Sequence, residues 1–177
     1  MATSLFDSQS YYRFSNTQLS DATISSGISF STNGAIDMTQ LGSLSSENWQ
    51  LWYQDGRYFI RNHDYGAQYQ LGVNEGSPYV PLLLVASADL SQQWEVTSLS
   101  GGSYTLTNLL FATFNSSGDI SGQSQLALSS NGSIFLETTE DQSGAQWTID
   151  INTSAGTPSA AMLKNLTDIQ VCNIQYQ

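Results

Sequence analysis

Apolar and polar residues alternate along the middle of the chain. From Trp94 the apolar positions fall on every second residue, Trp94 and Val96, then Tyr104 and Leu106 after a Gly101-Gly102 turn, with Glu95, Thr97, Thr105 and Thr107 between them. A period of two sends the two sets to opposite faces of a sheet, so the stretch predicts a β-hairpin. The same pattern stands upstream as Trp49-Gln50-Leu51, an Asp55-Gly56 turn and Tyr58-Phe59-Ile60-Arg61-Asn62. Tyr12-Arg13-Phe14-Ser15-Asn16 repeats its second half, and Trp147-Thr148-Ile149 its first.

Tyr-x-apolar-x-Asn thus begins at 12, 58 and 104, two intervals of 46 residues (58 − 12 and 104 − 58). Internal repeats of about 20 to 50 residues signal a repeat architecture. The tryptophans at 49, 94 and 147 lie 45 and 53 apart, which places an insertion in the third repeat. A second match, residues 31–49 against 129–147, runs without a gap and pairs Ser31/Ser129, Asn33/Asn131, Gly34/Gly132, Ile36/Ile134, Ser45/Ser143 and Trp49/Trp147. Asn-Gly is a two-residue hairpin signal, because both residues tolerate the positive φ that a type I′ turn requires.

Each repeat therefore reads as about four short strands, with repeats at 9–53, 54–99 and 100–153. Strands are predicted near 58–62, 69–73, 82–85, 94–97, 104–108, 125–128, 134–137 and 147–151. Residues 1–8 read as a lead-in and 20–26 as a mostly polar loop. After Asn152 the composition shifts through Thr153-Ser154-Ala155-Gly156-Thr157-Pro158 into an extension, 154–177, expected to pack on the domain or on a partner. Within it, 160–164 reads as one or two helical turns and 169–171 alternates like a strand.

At 177 residues the chain is long enough for one well-buried domain. Its net charge of -11, with only Arg13, Arg57, Arg61 and Lys164 basic, would repel phosphate backbones and anionic membrane surfaces, so no nucleic-acid partner is expected. The longest apolar run, 80–86, is far shorter than the roughly 20 residues of a membrane helix, so no membrane insertion is expected. Cys172 is alone, which excludes an intramolecular disulfide. Sequons at Asn115, Asn131, Asn152 and Asn165 tilt the reading toward an extracellular or cell-surface protein over a cytoplasmic one. Met1-Ala2-Thr3-Ser4 shows no apolar signal core, and whether a leader was removed stays open.

The three Trp-x-apolar, turn, Tyr-x-apolar-x-Asn units resemble the ricin-B-like lectins, whose repeats carry a Gln-x-Trp signature. Gln92-Gln93-Trp94 matches it in full, whereas the other units read Glu47-Asn48-Trp49 and Ala145-Gln146-Trp147. The match looks most like the fungal branch and covers 9–153. The resemblance implies an all-β protein, a β-trefoil: a six-stranded barrel capped by three hairpins, with pseudo-threefold symmetry and the tryptophans in the core. Closing a barrel also removes exposed sheet edges.

The family's sugar site combines an aspartate on the second strand of a repeat, an aromatic ring near the third, and a polar pair before the Trp. The carboxylate accepts from vicinal hydroxyls and the ring packs on the sugar's C–H face. Aligned here, the aspartate positions hold Ser29, Gly72 and Ala127, and the aromatic positions hold Asp37, Leu82 and Phe135. The polar pairs are Ser46/Glu47, Ser91/Gln92 and Gly144/Ala145, so no repeat retains a whole site of the family's kind. Candidate sugar-binding residues are Phe135, Asn131 and Glu137 in the third repeat and Gln92, Asn74 and Tyr79 in the second. Trp52 joins them because it lies out of phase with Trp49 and Leu51 and should face away from the core, beside Tyr53, Tyr65 and Tyr69 as further exposed rings.

Catalysis is not expected. A glycosidase needs two facing carboxylates, and no spacing among Asp37, Glu75, Glu137, Glu140 and Asp141 marks a pair. His63 is the only histidine and sits after a strand, so neither a triad nor a metal site of nitrogen and sulfur ligands is expected. No cofactor is implied. Two function classes remain: a non-catalytic carbohydrate-binding module with relocated sugar sites, whose partner is a glycan or glycoprotein, and a protein-interaction trefoil, either protease inhibitor or assembly module, that has lost sugar binding. The segment 113–124 and the extension fit the second, with a homodimer through the extension as one form.

Overall fold

The computed structural model describes residues 4–27, 34–74, 80–111, 124–137 and 144–167. Twelve strands run through them: β1 Tyr12–Asn16, β2 Leu19–Ser25, β3 Asp37–Gln40, β4 Trp49–Gln54, β5 Arg57–Asn62, β6 Tyr69–Val73, β7 Pro81–Val85, β8 Trp94–Ser98, β9 Tyr104–Asn108, β10 Gln125–Leu128, β11 Ile134–Glu137 and β12 Trp147–Ile151. Four per repeat is the number expected from the alternation.

Six of the strands close a ring. β1 pairs with β4, β4 with β5, β5 with β8, β8 with β9, β9 with β12 and β12 back with β1, all antiparallel. The joints are the residues that repeat in the sequence: Tyr12 faces Trp49, Tyr58 faces Trp94, and Tyr104 faces Trp147. Within the ring's hairpins Trp49 faces Asn62, Trp94 faces Asn108, and Trp147 faces Asn16, which ties the third repeat to the first. The remaining strands form three hairpins, β2–β3, β6–β7 and β10–β11. A closed six-stranded barrel with three hairpins in threefold arrangement is a β-trefoil.

The threefold repetition extends to hydrogen bonds. Trp49, Trp94 and Trp147 are fully buried, and their indole Nε1 groups donate to Ile24 O, Leu71 O and Leu126 O at 2.9, 2.8 and 2.7 Å. Asn16, Asn62 and Asn108 donate Nδ2 to Gly144 O, Ser46 O and Ser91 O at 2.8, 2.9 and 2.8 Å. The Oδ1 of each accepts the N–H of the residue two further on, Gln18, Asp64 or Leu110. Each asparagine thus holds its own turn and the turn before the facing Trp, satisfying backbone groups that burial would otherwise leave unpaired.

Three expectations need correction. Residues 20–26 are mostly strand rather than loop, because the polar side chains of β2 find partners inside: Thr23 Oγ1 donates to Phe14 O at 2.9 Å and Ser25 Oγ to Ser46 Oγ at 2.9 Å. The Asn131-Gly132 turn is not type I′. Among described residues only Asp55 shows a positive φ without being glycine (52°, followed by Gly56 at 84°), so the type I′ turn is that of β4–β5. At 129–133 only Gly132 is left-handed, with Gly132 N donating to Ser129 O and Ser129 N to Ser133 O, both at 2.9 Å. The lead-in is a plug: Phe6, 8% exposed, lies among the three repeat tyrosines, 5.3 Å from Tyr12, 5.9 Å from Tyr58 and 5.0 Å from Tyr104 between ring centroids.

Beyond β12, residues 153–167 lie against the chain's own barrel. Met162 clusters with Tyr11 and Ala67, while Leu166 clusters with Phe59 and Ala86 beneath Trp52. Leu166 N donates to Gln54 Oε1 at 3.1 Å. Residues 160–164 form turns closed by Lys164 N on Ala161 O at 3.3 Å rather than a regular helix, and 169–171 lie outside the described residues.

Candidate functional site

Strand register identifies the threefold-equivalent positions directly. Ser25 faces Asp37, Gly72 faces Leu82 and Ala127 faces Phe135, each one residue past the carbonyl that accepts a Trp indole. The first repeat's counterpart of Gly72 and Ala127 is therefore Ser25 rather than Ser29, which lies outside the described residues.

Each of these positions is filled by the chain itself. In the first repeat Ser25 bonds Ser46, and Glu47, 0% exposed, is held by Arg13 Nη2 at 3.3 Å and by Gly42 N at 3.2 Å. In the second, a Cβ added at Gly72 would lie 2.8 Å from both Gln92 Cγ and Leu84 Cδ1, so an aspartate has no room there. Gln92, 3% exposed, accepts from Ser87 N at 3.0 Å and donates to Val85 O and Ser87 Oγ, each at 2.9 Å. Its amide closes the turn before Trp94 and has both donor hydrogens engaged. Leu82 meets Ala35 of the first repeat in an isolated bridge.

In the third repeat Ala127 is fully buried and Phe135 half-buried. Glu137 shares a strand face with Phe135, two residues away. Asn131 is exposed at the turn, where its Oδ1 accepts from Ser129 Oγ and from Ser133 N. Asn74 is exposed at the end of β6, and Tyr79 lies outside the described residues. Tyr53, Tyr65 and Tyr69 are not free-standing rings, because they pack on the core and pair with other rings, Tyr53 tilted against Tyr58 at 4.9 Å and Tyr65 edge-on to Tyr69 at 5.3 Å.

Trp52 stands elsewhere, on the outer wall of β4. Half-buried, it rests on Phe59 and Leu166, and the Arg61 guanidinium lies 5.1 Å from its ring centroid. It lines a groove of about 500 Å³ with Ser4, Phe6, Asp7, Ser8, Gln9 and Leu163. Asp7 is exposed and already ordered: Oδ1 accepts from Gln9 N at 2.9 Å and Oδ2 from Ser10 Oγ at 3.2 Å. The groove thus joins apolar surface to a few placed polar groups, the make-up of a small-molecule site. The sequence pattern marked Trp52 but not Asp7, because the N-terminal turn lies outside the repeat and its nearness to β4 is a long-range contact. A smaller depression pairs Tyr53 with Glu95, but Arg57 engages that carboxylate at 3.7 Å.

His63 Nδ1 lies 3.0 Å from Asp64 Oδ1. Among the described residues no group of three or more His, Cys, Asp or Glu side chains is placed to hold a metal ion, and no helix is long and apolar enough to cross a membrane.

No protein-family model and no curated protein sequence matches the chain. Solved structures do. A mosquitocidal holotoxin superposes with a TM-score of 0.67 at 17% identity over 83% of this chain, which covers only 18% of that protein. The BEL β-trefoil superposes at 0.64 with 12% identity, covering 84% of this chain and 97% of that one. SeviL, solved bound to asialo-GM1 saccharide, superposes at 0.57 with 10% identity, covering 80% and 97%. At these identities the likeness is one of fold.

Proposed function

We propose that this protein is a non-catalytic carbohydrate-binding module of ricin-B-like, fungal-branch type, whose sugar site has moved from the repeat pockets to the groove beside Trp52. The observation that carries the reading is the groove itself, where Trp52, Phe6 and Leu163 supply apolar surface and Asp7, Ser8 and Gln9 supply polar groups at one edge. Phe135 with Glu137 forms the secondary candidate. A saccharide-bound β-trefoil among the structural neighbours supports the ligand class.

The mechanism is binding alone. The indole packs on a sugar's C–H face while the Asp7 carboxylate, held by Gln9 N and Ser10 Oγ, accepts from adjacent hydroxyls without having to reorient. A glycan array followed by titration of each hit tests it. Trp52→Ala and Asp7→Asn should each weaken binding at least tenfold, and Phe135→Ala much less. A blank array from folded protein, or hits indifferent to both substitutions, would transfer the chain to the protein-interaction class, where a dimer lost on removing the extension is the form to look for.

A further inference from the structure

The groove beside Trp52 is made by three separate stretches of chain: β4 supplies the indole, the N-terminal turn supplies Asp7 and Ser8, and the extension supplies Leu163. Nothing in the barrel's threefold plan brings the two arms to this wall. Two side chains bind them there, and they face each other across the β4–β5 hairpin: Gln50 and Arg61, both 0% exposed. Gln50 Nε2 donates to Ser8 O at 2.7 Å, and Ser8 Oγ in turn donates to Leu51 O at 3.2 Å. Arg61 Nη1 donates to Met162 O at 2.7 Å and to Lys164 O at 3.1 Å, so one nitrogen grips the carbonyls of the residues on either side of Leu163. The same guanidinium lies 5.1 Å from the Trp52 ring centroid.

Neither residue belongs to the repeat. The equivalent facing pairs are Glu95 with Thr107 in the second hairpin and Thr148 with Ser15 in the third, so the barrel closes without a glutamine and an arginine at this place. Stability alone does not favour them either. Gln50 Oε1 and Arg61 Nε and Nη2 are buried without partners, and a buried polar or charged group left partly unpaired costs stability that apolar residues of similar size would not. Neither residue lines the groove, so any effect on a ligand passes through Ser8, Leu163 and Trp52.

We propose that Gln50 and Arg61 are the positioning pair of the Trp52 groove: Gln50 fixes the arm that carries Asp7, while Arg61 fixes the arm that carries Leu163 and stacks on the indole. The proposal rests on the reading of that groove as the sugar site. A ligand then meets groups already in register, because the cost of ordering both arms is met in folding rather than in binding. Loss of either residue leaves the barrel closed and frees one side of the groove.

Titration of a glycan hit, together with fluorine NMR of protein carrying fluorotryptophan, tests the pair; the Trp52 line is the one lost in Trp52→Phe. Arg61→Met and Gln50→Leu should each shift the Trp52 line and weaken glycan binding about tenfold. Asn108→Ala, which destabilises the barrel away from the groove, should do neither. Arg61→Lys, whose one nitrogen can still donate to both carbonyls, should recover affinity to within about threefold of the wild type. Gln50→Leu carries the test alone should Arg61→Met fail to fold. A Trp52 line unmoved by both substitutions, an affinity unmoved by both, or equal effects from Asn108→Ala would each overturn the proposal. If no glycan binds the wild-type protein, the sugar reading falls and the Trp52 line alone decides whether the pair positions the groove.

Discussion

The barrel interior and the outer wall of β4–β5 are built from the same repeats by opposite rules. Inside, equivalent positions hold equivalent residues: three tryptophans, three asparagines and three tyrosines with the same partners. On the wall they diverge. Trp52 and Phe59 face each other where the second hairpin of the barrel has Thr97 and Thr105, and where the third has Asp150 and Arg13. Gln50 and Arg61 stand where the second hairpin has Glu95 and Thr107. Symmetric positions keep the barrel closed. The wall, free of that constraint, accumulates a stacked indole, a buried guanidinium and a covering extension, and it is there that binding chemistry can be placed without disturbing the fold.

The sharpest way to break this comparison is to remove a tryptophan from each region. Trp94→Ala deletes a fully buried ring and its bond to Leu71 O, and should cost about 3–5 kcal/mol, a large share of the about 5–15 kcal/mol typical of a domain. Trp49→Ala and Trp147→Ala should match it. Trp52→Ala, on the wall, should cost only about 1–2 kcal/mol, because the ring is half-buried and its loss uncovers Leu166 rather than the core. Denaturant midpoints of the four variants, each with its glycan affinity, make the test. A Trp52 variant as unstable as the Trp94 variant would end the distinction between scaffold and wall.

A smaller effect sharpens the interior half. Asn108→Ala leaves Ser91 O and Leu110 N without their partner, and should cost about 2–3 kcal/mol, with Asn16→Ala and Asn62→Ala equal within error. Urea unfolding of the three variants reads this directly. Unequal costs would show that the threefold hydrogen bonds conceal an energetic asymmetry.

These two regions were not equally legible in the sequence. The interior was, because a closed threefold barrel needs the same residues at equivalent positions, and Tyr-x-apolar-x-Asn recorded that need at 46-residue intervals, with the tryptophans 45 and 53 apart. That Gly72 and Ala127 carry no carboxylate was legible, while the first repeat's register slipped from Ser25 to Ser29 because no motif anchors that strand. The groove was only half legible. Trp52 announced itself by being out of phase, but Phe6, Asp7 and Leu163 lie outside the repeat, and nothing in a period encodes which wall the two ends of the chain will cover. Nothing in the sequence pattern marks Arg61 as buried for the same reason, since its burial depends on Met162 and Lys164 about a hundred residues away.

The smallest expected effect separates the regions by the sign of their response to alkaline pH. Tyr12 in the barrel and Tyr11 under the extension both have pKa values raised above the ordinary phenol, chiefly by burial, with the nearby Asp64 charge adding to it at Tyr11. A raised folded pKa means that the unfolded chain loses its proton first. Their contribution is therefore complete below about pH 10 and falls as pH rises through the folded values, by up to about 1.4 kcal/mol per pH unit for each group. Arg61 does the opposite: burial lowers its pKa to about 10, below the ordinary guanidinium range, so above pH 10 the unfolded chain still holds the proton and stability rises with pH. Above pH 10, Tyr11→Phe and Tyr12→Phe should flatten the alkaline loss of stability, whereas Arg61→Met should steepen it. Urea midpoints measured from pH 9 to 12 would show this, and a slope left unchanged by Arg61→Met would mean that Arg61 keeps its proton through the range.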